Sequence, residues 1–400
     1  MEQINSSMPL LAVPMKLTDK VDFFEELERY FNNINQNDIG NKNEIKKFNR
    51  LRQDIRDAGR DIIGRNIVYK YYGQLKYLEQ YLKSCKNSNV IEKNNNEINI
   101  SFKFKWYDAF TGEGGEGPIN YEKACVIFNL AALISNMAVG QDMKNIEGKK
   151  TACKYYQVSA GFFKYINDNF QKDQQNFPTL DIKKESITCL NKLMLASAQE
   201  CLLKIEMSNN ISYDNLYKIA SYLSYTYEKI YEMITEKFNF KYHFNLWKPI
   251  FILKSKYYAF ISYYYKALIS DDEAKYGYVV SYLVLAEKNI LDMCKLTKKA
   301  LNSNDRSLKY NKSILQNLLT IGDSCSNIIS TMKKQAVKDN DEIYNEIIPD
   351  IQLIKELERE CFVRNLNFDA ICQNGQKEIQ HIIGHKVFRD SIHHDVIHVQ

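Results

Sequence analysis

Proline and glycine are scarce in this 400-residue chain, at six and fifteen residues, and no Pro/Ser/Gly-rich stretch marks a linker. So few helix breakers leave room for long uninterrupted helices, and Lys, Glu, Leu, Ile, Tyr and Asn dominate what remains. A strong charge of one sign is also missing. The 54 basic residues are scattered among 49 acids for a net charge of +5. Without an arginine-rich run or an aromatic-basic RNA signature, the chain carries no nucleic-acid footprint. The first residues, MEQINSSMPLL, have neither a basic region nor an apolar stretch, so they read as no secretory signal.

Histidine is nearly absent outside one place. Five of the six (His381, His385, His393, His394 and His398) fall in the last twenty residues, which leaves no paired cysteine and histidine along the body of the chain for nucleophilic catalysis. There is no HExxH, and no cysteine pair stands at zinc spacing. His381 and His385, at i and i+4, share a helix face and keep a metal-binding alternative open; solvated imidazoles are the ordinary reading. The sequence therefore predicts no enzyme, no cofactor and no metal. Nine cysteines, mostly isolated in apolar helices (Cys125, Cys189, Cys201, Cys294), fit reduced thiols in a cytosolic compartment.

Only one stretch, Ala124 to Gln141, is free of charge for the minimum length of a membrane span. Asn129, Ser135, Asn136 and Gln141 interrupt it, as in a core helix. Helical patterns fill Asp19 to Asn32, Glu44 to Cys85, Tyr121 to Val139, Glu147 to Asn169, Lys183 to Met207, Tyr213 to Lys237, Pro249 to Ile269, Glu273 to Ala300 and Ser313 to Lys338. Asparagine-rich Phe31 to Glu44 and Lys86 to Asn99 read as exposed loops. In Lys256 to Lys288, aromatics alternate with Ala259, Ala267, Gly277 and Ala286 at helix-packing spacings. That texture resembles tetratricopeptide-type hairpins without a strict repeat, and predicts a solenoid-like stack.

Residues 104 to 138, FKWYDAFTGEGGEGPINYEKACVIFNLAALISNMA, are the most informative segment. From Ile98 to Trp106 apolar and polar residues alternate, the period of a strand with one face buried. Gly112, Gly114, Gly115, Gly117 and Pro118 then break regular structure, and a helix apolar on several faces follows. The string GEGGEG also fits GxGxxG between strand and helix, the setting of a dinucleotide turn. Against that reading, Glu113 and Glu116 set carboxylates where a pyrophosphate would lie, and no βαβ sheet pattern follows.

The segment resembles the signature of the Bro1 domain family, and the resemblance extends in order along the chain. LLAVPMKLTDKVDF (Leu10 to Phe23) is similar to the family's N-terminal strand and first helix start. EGKKTACKYYQVSAGFF and LMLASAQECLLK resemble core helices, KDNDEIYNEIIPD the end of the last long helix, and HKVFRDSIHHDVIHVQ a diverged return strand. The resemblance implies a mainly α fold, an elongated and curved domain with a tetratricopeptide-like helical solenoid core and a small β element near the N-terminus. A tail at 1–8 would precede one domain over 9–400, helical to about 350, with a return segment at 351–400.

The resemblance further implies a monomeric, cytoplasmic adaptor recruited to endosomal membranes. Its partner would be the C-terminal amphipathic helix of an ESCRT-III filament subunit, held in a groove. The alternative is a helical scaffold for another partner. Carried onto this chain, the patch comprises Leu202, Leu216, Ile219 and Lys150, with Asn215 where some relatives have an apolar residue. The spacing alone reads Leu216, Ile219, Leu223, Tyr227, Ile230 and Ile234 as one core-facing stripe. The family carry-over instead predicts Leu202 and Ile219 at the surface. The loop Thr111 to Asn120 has no Phe, Leu or Trp to insert into a bilayer, so only weak lysine-driven contact with anionic membranes is expected.

Overall fold

Three polar residues in the later part of a largely apolar helix organise the N-terminal part of the chain. In the computed structural model, which describes residues 8–25, 27, 40–87, 102–209, 212–237, 247–303 and 312–366, α3 (Ile119–Val139) is buried along nearly its whole length. Its Asn129 accepts from the Lys16 N–H at 2.7 Å and donates to the Lys16 carbonyl at 2.9 Å. Ser135 accepts from the Val13 N–H, and Asn136 donates to the Val13 carbonyl. The polar positions that interrupt this apolar helix thus satisfy the backbone of Val13 and Lys16, which has no regular helix or sheet partner there. Replacing Asn129 by alanine strands two buried backbone groups, and we expect a loss of about 2–5 kcal/mol in a denaturant titration, at about 1–3 kcal/mol for each orphaned group. A loss under about 1 kcal/mol would show that water takes over.

The chain divides into two compact units. The strand-containing unit comprises Ala12–Met137, Val158–Asn191 and Asn365–Gln400. It holds α1 (Gly40–Asp54), α2 (Ile62–Asn87), most of α3, the later half of α4 (Ile146–Asn169) and the start of α5 (Lys184–Ser208). The uninterrupted helix expected over Glu44 to Cys85 is two: Ile55–Asp57 tighten into a 3₁₀ turn, and Asp61 caps the next helix by accepting from the Gly64 N–H at 2.8 Å.

The glycine string is likewise a correction. Strand β1 (Phe104–Tyr107) alternates buried and half-buried residues as its sequence predicts, but Gly114–Gly117 forms an antiparallel partner, β2, rather than an irregular break. A Cβ on Gly115 would lie 2.6 Å from Pro178, and one on Gly117 would lie 2.6 Å from Tyr121. These glycines serve close packing, and only Gly112 occupies the left-handed region, at φ 73°. Of the N-terminal segment, Thr18 bridges to Trp106, with the Tyr107 N–H donating to the Leu17 carbonyl and the Asp19 N–H to the Lys105 carbonyl, and the rest of Leu10 to Phe23 forms no sheet strand.

The strand-containing unit is centred on one buried carboxylate. Glu122 accepts from the Tyr71 hydroxyl at 2.7 Å and from Trp106 Nε1. The Arg52 Nε lies 2.7 Å from Glu122 Oε1, an ionic contact without hydrogen-bond geometry, and both side chains are fully buried. Arg52 also donates to Thr18 Oγ1 at 2.6 Å. A second buried pair, Lys16 with Asp181, joins the N-terminal segment to Ala109, whose N–H donates to Asp181 at 2.7 Å. Burial raises the Asp181 carboxyl above its ordinary value against the opposing pull of Lys16.

The helical unit comprises Met1–Leu11, Ala138–Gln157 and Lys192–Arg364. Here α6 (Tyr213–Glu232), α7 (Lys248–Asp272), α8 (Tyr276–Leu301) and α9 (Lys312–Asp339) pack in succession. Tyrosines fill the layers between them: Tyr227 stacks on Tyr258 with ring centroids 6.0 Å apart, and its hydroxyl donates to the buried Glu200. Lys254 Nζ lies 2.6 Å from Glu200 with both side chains fully buried, and that burial lowers the lysine's pKa. The expected C-terminal return strand and the clustered histidines lie outside the described residues.

Candidate functional site

After α9 the chain returns across the helical unit as an extended strap. Successive backbone groups of residues 357–364 are held by side chains and one carbonyl from three helices. Ser221 of α6 donates to the Leu357 carbonyl, and the Glu360 N–H donates to the Lys218 carbonyl. Gln199 of α5 donates to the Glu360 carbonyl at 3.0 Å and accepts from the Phe362 N–H at 3.2 Å. Gln157 of α4 accepts from the Arg364 N–H at 3.2 Å. These contacts show which side of each helix faces the strap.

The helical period carries that face beyond the strap. On α4, Lys154 and Lys150 stand three and seven residues before Gln157; on α5, Leu202 and Glu206 stand three and seven after Gln199; on α6, Asn215 and Asp214 stand three and four before Lys218. These positions share one end of the unit. Lys149 Nζ donates to Ser208 Oγ at 2.6 Å, tying the first turn of α4 to the last turn of α5, and α6 begins directly after. Their side chains are exposed or half-buried, and by helical spacing they continue the side of each helix that holds the strap.

Three of the five predicted residues lie here. Lys150 is exposed and ion-paired with Glu147 at 2.8 Å, while Leu202 and Asn215 are half-buried. The other two do not. Leu216 is 2% exposed and Ile219 1%, so the expected surface position of Ile219 is overturned. The cause is the amphipathic register of α6, whose Leu216, Ile219, Ala220, Leu223, Tyr227 and Ile230 all face inward where the helix packs on α7. The spacing had already marked that stripe as core.

Lys218, which the sequence reading passed over, joins this face to the strap. Its ammonium lies 2.7 Å from Asp214 and 3.3 Å from Glu358 of the strap, and hydrogen bonds to these two carboxylates, Asp214 first, raise its pKa. Glu358 also accepts from Tyr217. Only its position three residues after Asn215 hinted at the role, and the strap leaves no local signal.

A separate cavity of about 480 Å³ opens on the other side of α5. Leu203, Lys204 and Met207 line it with Tyr257 and Ile261 of α7 and Lys144. None of the five predicted residues reaches it.

The pattern of the BRO1-like domain matches residues 10–399. The vacuolar protein-sorting protein BRO1 of Gibberella zeae is 31% identical over 344 residues, covering 85% of this chain and 33% of the relative. The chain spans about a third of the length of such curated relatives. Among solved structures, an ALIX BRO1 CHMP4C complex aligns with TM-score 0.69 at 21% identity, covering 90% of this chain and 95% of that one. A Bro1 domain described in connection with endosomal targeting aligns with TM-score 0.73 at 19% identity, covering 98% and 100%. A match spanning almost every residue, with the buried Glu122 network and the strap-bearing helical stack beneath it, means that this chain belongs to the BRO1-like domain family.

Proposed function

We propose that the chain is a non-catalytic adaptor of endosomal sorting, a single Bro1 domain over residues 9–400. In this reading it binds the C-terminal amphipathic helix of an ESCRT-III filament subunit while acting at endosomes from the cytoplasm. Its relatives in sorting and the CHMP4C partner of the aligned ALIX domain support the reading. The observation that carries it is the face of exposed and half-buried residues beyond the strap. Leu202 offers an apolar anchor there for the apolar side of an amphipathic helix, bordered by Lys154 and by the ion pairs of Lys150 with Glu147 and of Lys218 with Asp214 and Glu358. Asn215 supplies a polar contact where some relatives have an apolar residue.

The test is a titration of a labelled ESCRT-III C-terminal helix against the native chain and Leu202→Asp. An anchor of this kind contributes about 2 kcal/mol, or about thirtyfold in affinity. Because Leu202 is only half-buried, the thermal melt of the variant should stay near that of the native chain. Undiminished binding by Leu202→Asp would move the partner to another surface, and the cavity beside Lys204 would then be the next place to look.

A further inference from the structure

The strongest apolar exposure in the described chain lies elsewhere, where α9 ends. Residues Asn340–Tyr344 form a π-turn, and the following segment returns to the start of α8. Ile347 is 92% exposed and Ile343 63%, with Ile348 and Tyr344 at 43% and 41%. Four large apolar side chains within six residues are well beyond the scattered exposure of an ordinary surface.

The backbone beneath them is tightly held. Asn345 takes the left-handed conformation at φ 52°, and its N–H donates to the Asn340 carbonyl at 2.7 Å. The side chain of Asn340, itself buried, donates to the Glu346 carbonyl and accepts from the Glu346 N–H. Glu346 Oε2 accepts from the Gly277 N–H at 2.8 Å, and Ser281 donates to the Pro349 carbonyl at 2.7 Å. A Cβ on Gly277 would meet the Ile347 carbonyl at 2.3 Å, so the glycine is what lets the segment seat against α8. Tyr344 stacks on Tyr276. The isoleucines are therefore presented from a fixed backbone, which lowers the ordering cost of binding.

The surroundings are acidic. Residues 271–275 and 338–350 contain eight carboxylates and two lysines, and the lysines are already paired, Lys275 with Glu273 and Lys338 with Glu342. This charge repels an anionic lipid surface and attracts a cationic one. We propose that the Ile343–Ile348 tip is a second docking surface, and that its occupant is a basic, apolar peptide segment of a partner protein. Apolar side chains of the peptide cover Ile343 and Ile347 while its lysines or arginines meet the acidic rim. The site is distinct from the Leu202 face, which lies on α4, α5 and α6.

The experiment titrates a fluorescently labelled amphipathic leucine–lysine peptide, with a leucine–glutamate peptide of the same pattern as its counterpart. The native chain is compared with Ile343→Ser/Ile347→Ser and with Asp341→Lys/Glu342→Lys. The serine variant should bind the basic peptide at least about tenfold more weakly, as expected for two lost apolar anchors, with an unchanged melt because both side chains are exposed. The lysine variant should weaken it several-fold and flatten its salt dependence, while Leu202→Asp leaves it intact. Equal affinity for the acidic peptide, or unchanged binding by the serine variant, overturns the proposal. So does isoleucine-dependent flotation with phosphatidylserine vesicles, which would make a lipid surface the occupant.

Discussion

Replacing Glu122 by alanine is expected to destabilise the strand-containing unit by about 4 kcal/mol, because it leaves the Arg52 guanidinium buried with no counter-charge. The same change removes the acceptor of Tyr71 and Trp106. The Coulomb gain of such a pair is largely offset by its desolvation, so the double variant Arg52→Met/Glu122→Leu should recover most of the loss. Fluorescence can follow this unit separately. The chain has two tryptophans, Trp106 in the strand-containing unit and Trp247 in the helical unit. In a Trp247→Phe background the remaining indole sits against the altered carboxylate and reports urea unfolding directly. A Glu122→Ala midpoint near that of the background chain would mean that Arg52 finds another partner and that the carboxylate is dispensable.

Ile219→Asp should have an effect of similar size in the helical unit. At 1% exposure its side chain has no room for water, so a carboxylate there must be buried unpaired or force α6 away from α7, at a cost of about 4 kcal/mol or more. Peptide binding would be lost as well, but through unfolding. Leu202→Asp is the informative contrast, since it removes an apolar contact from a half-buried position and should leave the melt almost unchanged. Circular dichroism melts of the two variants side by side separate a core residue from a contact residue. An intact Ile219→Asp melt would return that position to the surface.

Much of the architecture was legible in the sequence because helices announce themselves locally. The apolar period along Tyr213 to Ile234 marked an inward stripe, and the structure buries that stripe. Asn129, Ser135 and Asn136 favour a core helix over a membrane span, since uncompensated amides and hydroxyls are costly in lipid. Phe104 and Trp106 lie on the buried side of β1 as their alternation requires. The family itself was recognisable from short segments in order, FKWYDAF, YEKACVIF and KDNDEIY among them.

What the sequence misread was set by contacts between distant residues. Gly114–Gly117 reads as a break because glycine carries no strand propensity, yet β1, Pro178 and Tyr121 leave space for nothing larger. Ile219 was assigned to the surface by analogy, against its own periodicity, and the periodicity prevailed.

Composition and spacing by themselves determined a mainly helical chain, because helix follows from propensity and from side chains within a few residues of each other, while the family resemblance came from motifs in order along the chain. Only the tertiary structure decided which residues share a surface. Gln157, Gln199 and Lys218 come from three helices, and it is the strap of residues 357–364 that joins them. The isoleucine tip depends likewise on Gly277, some seventy residues away, for the seat that holds it out to solvent. Neither arrangement has a local signature, since each is made by hydrogen bonds between segments that the sequence keeps far apart.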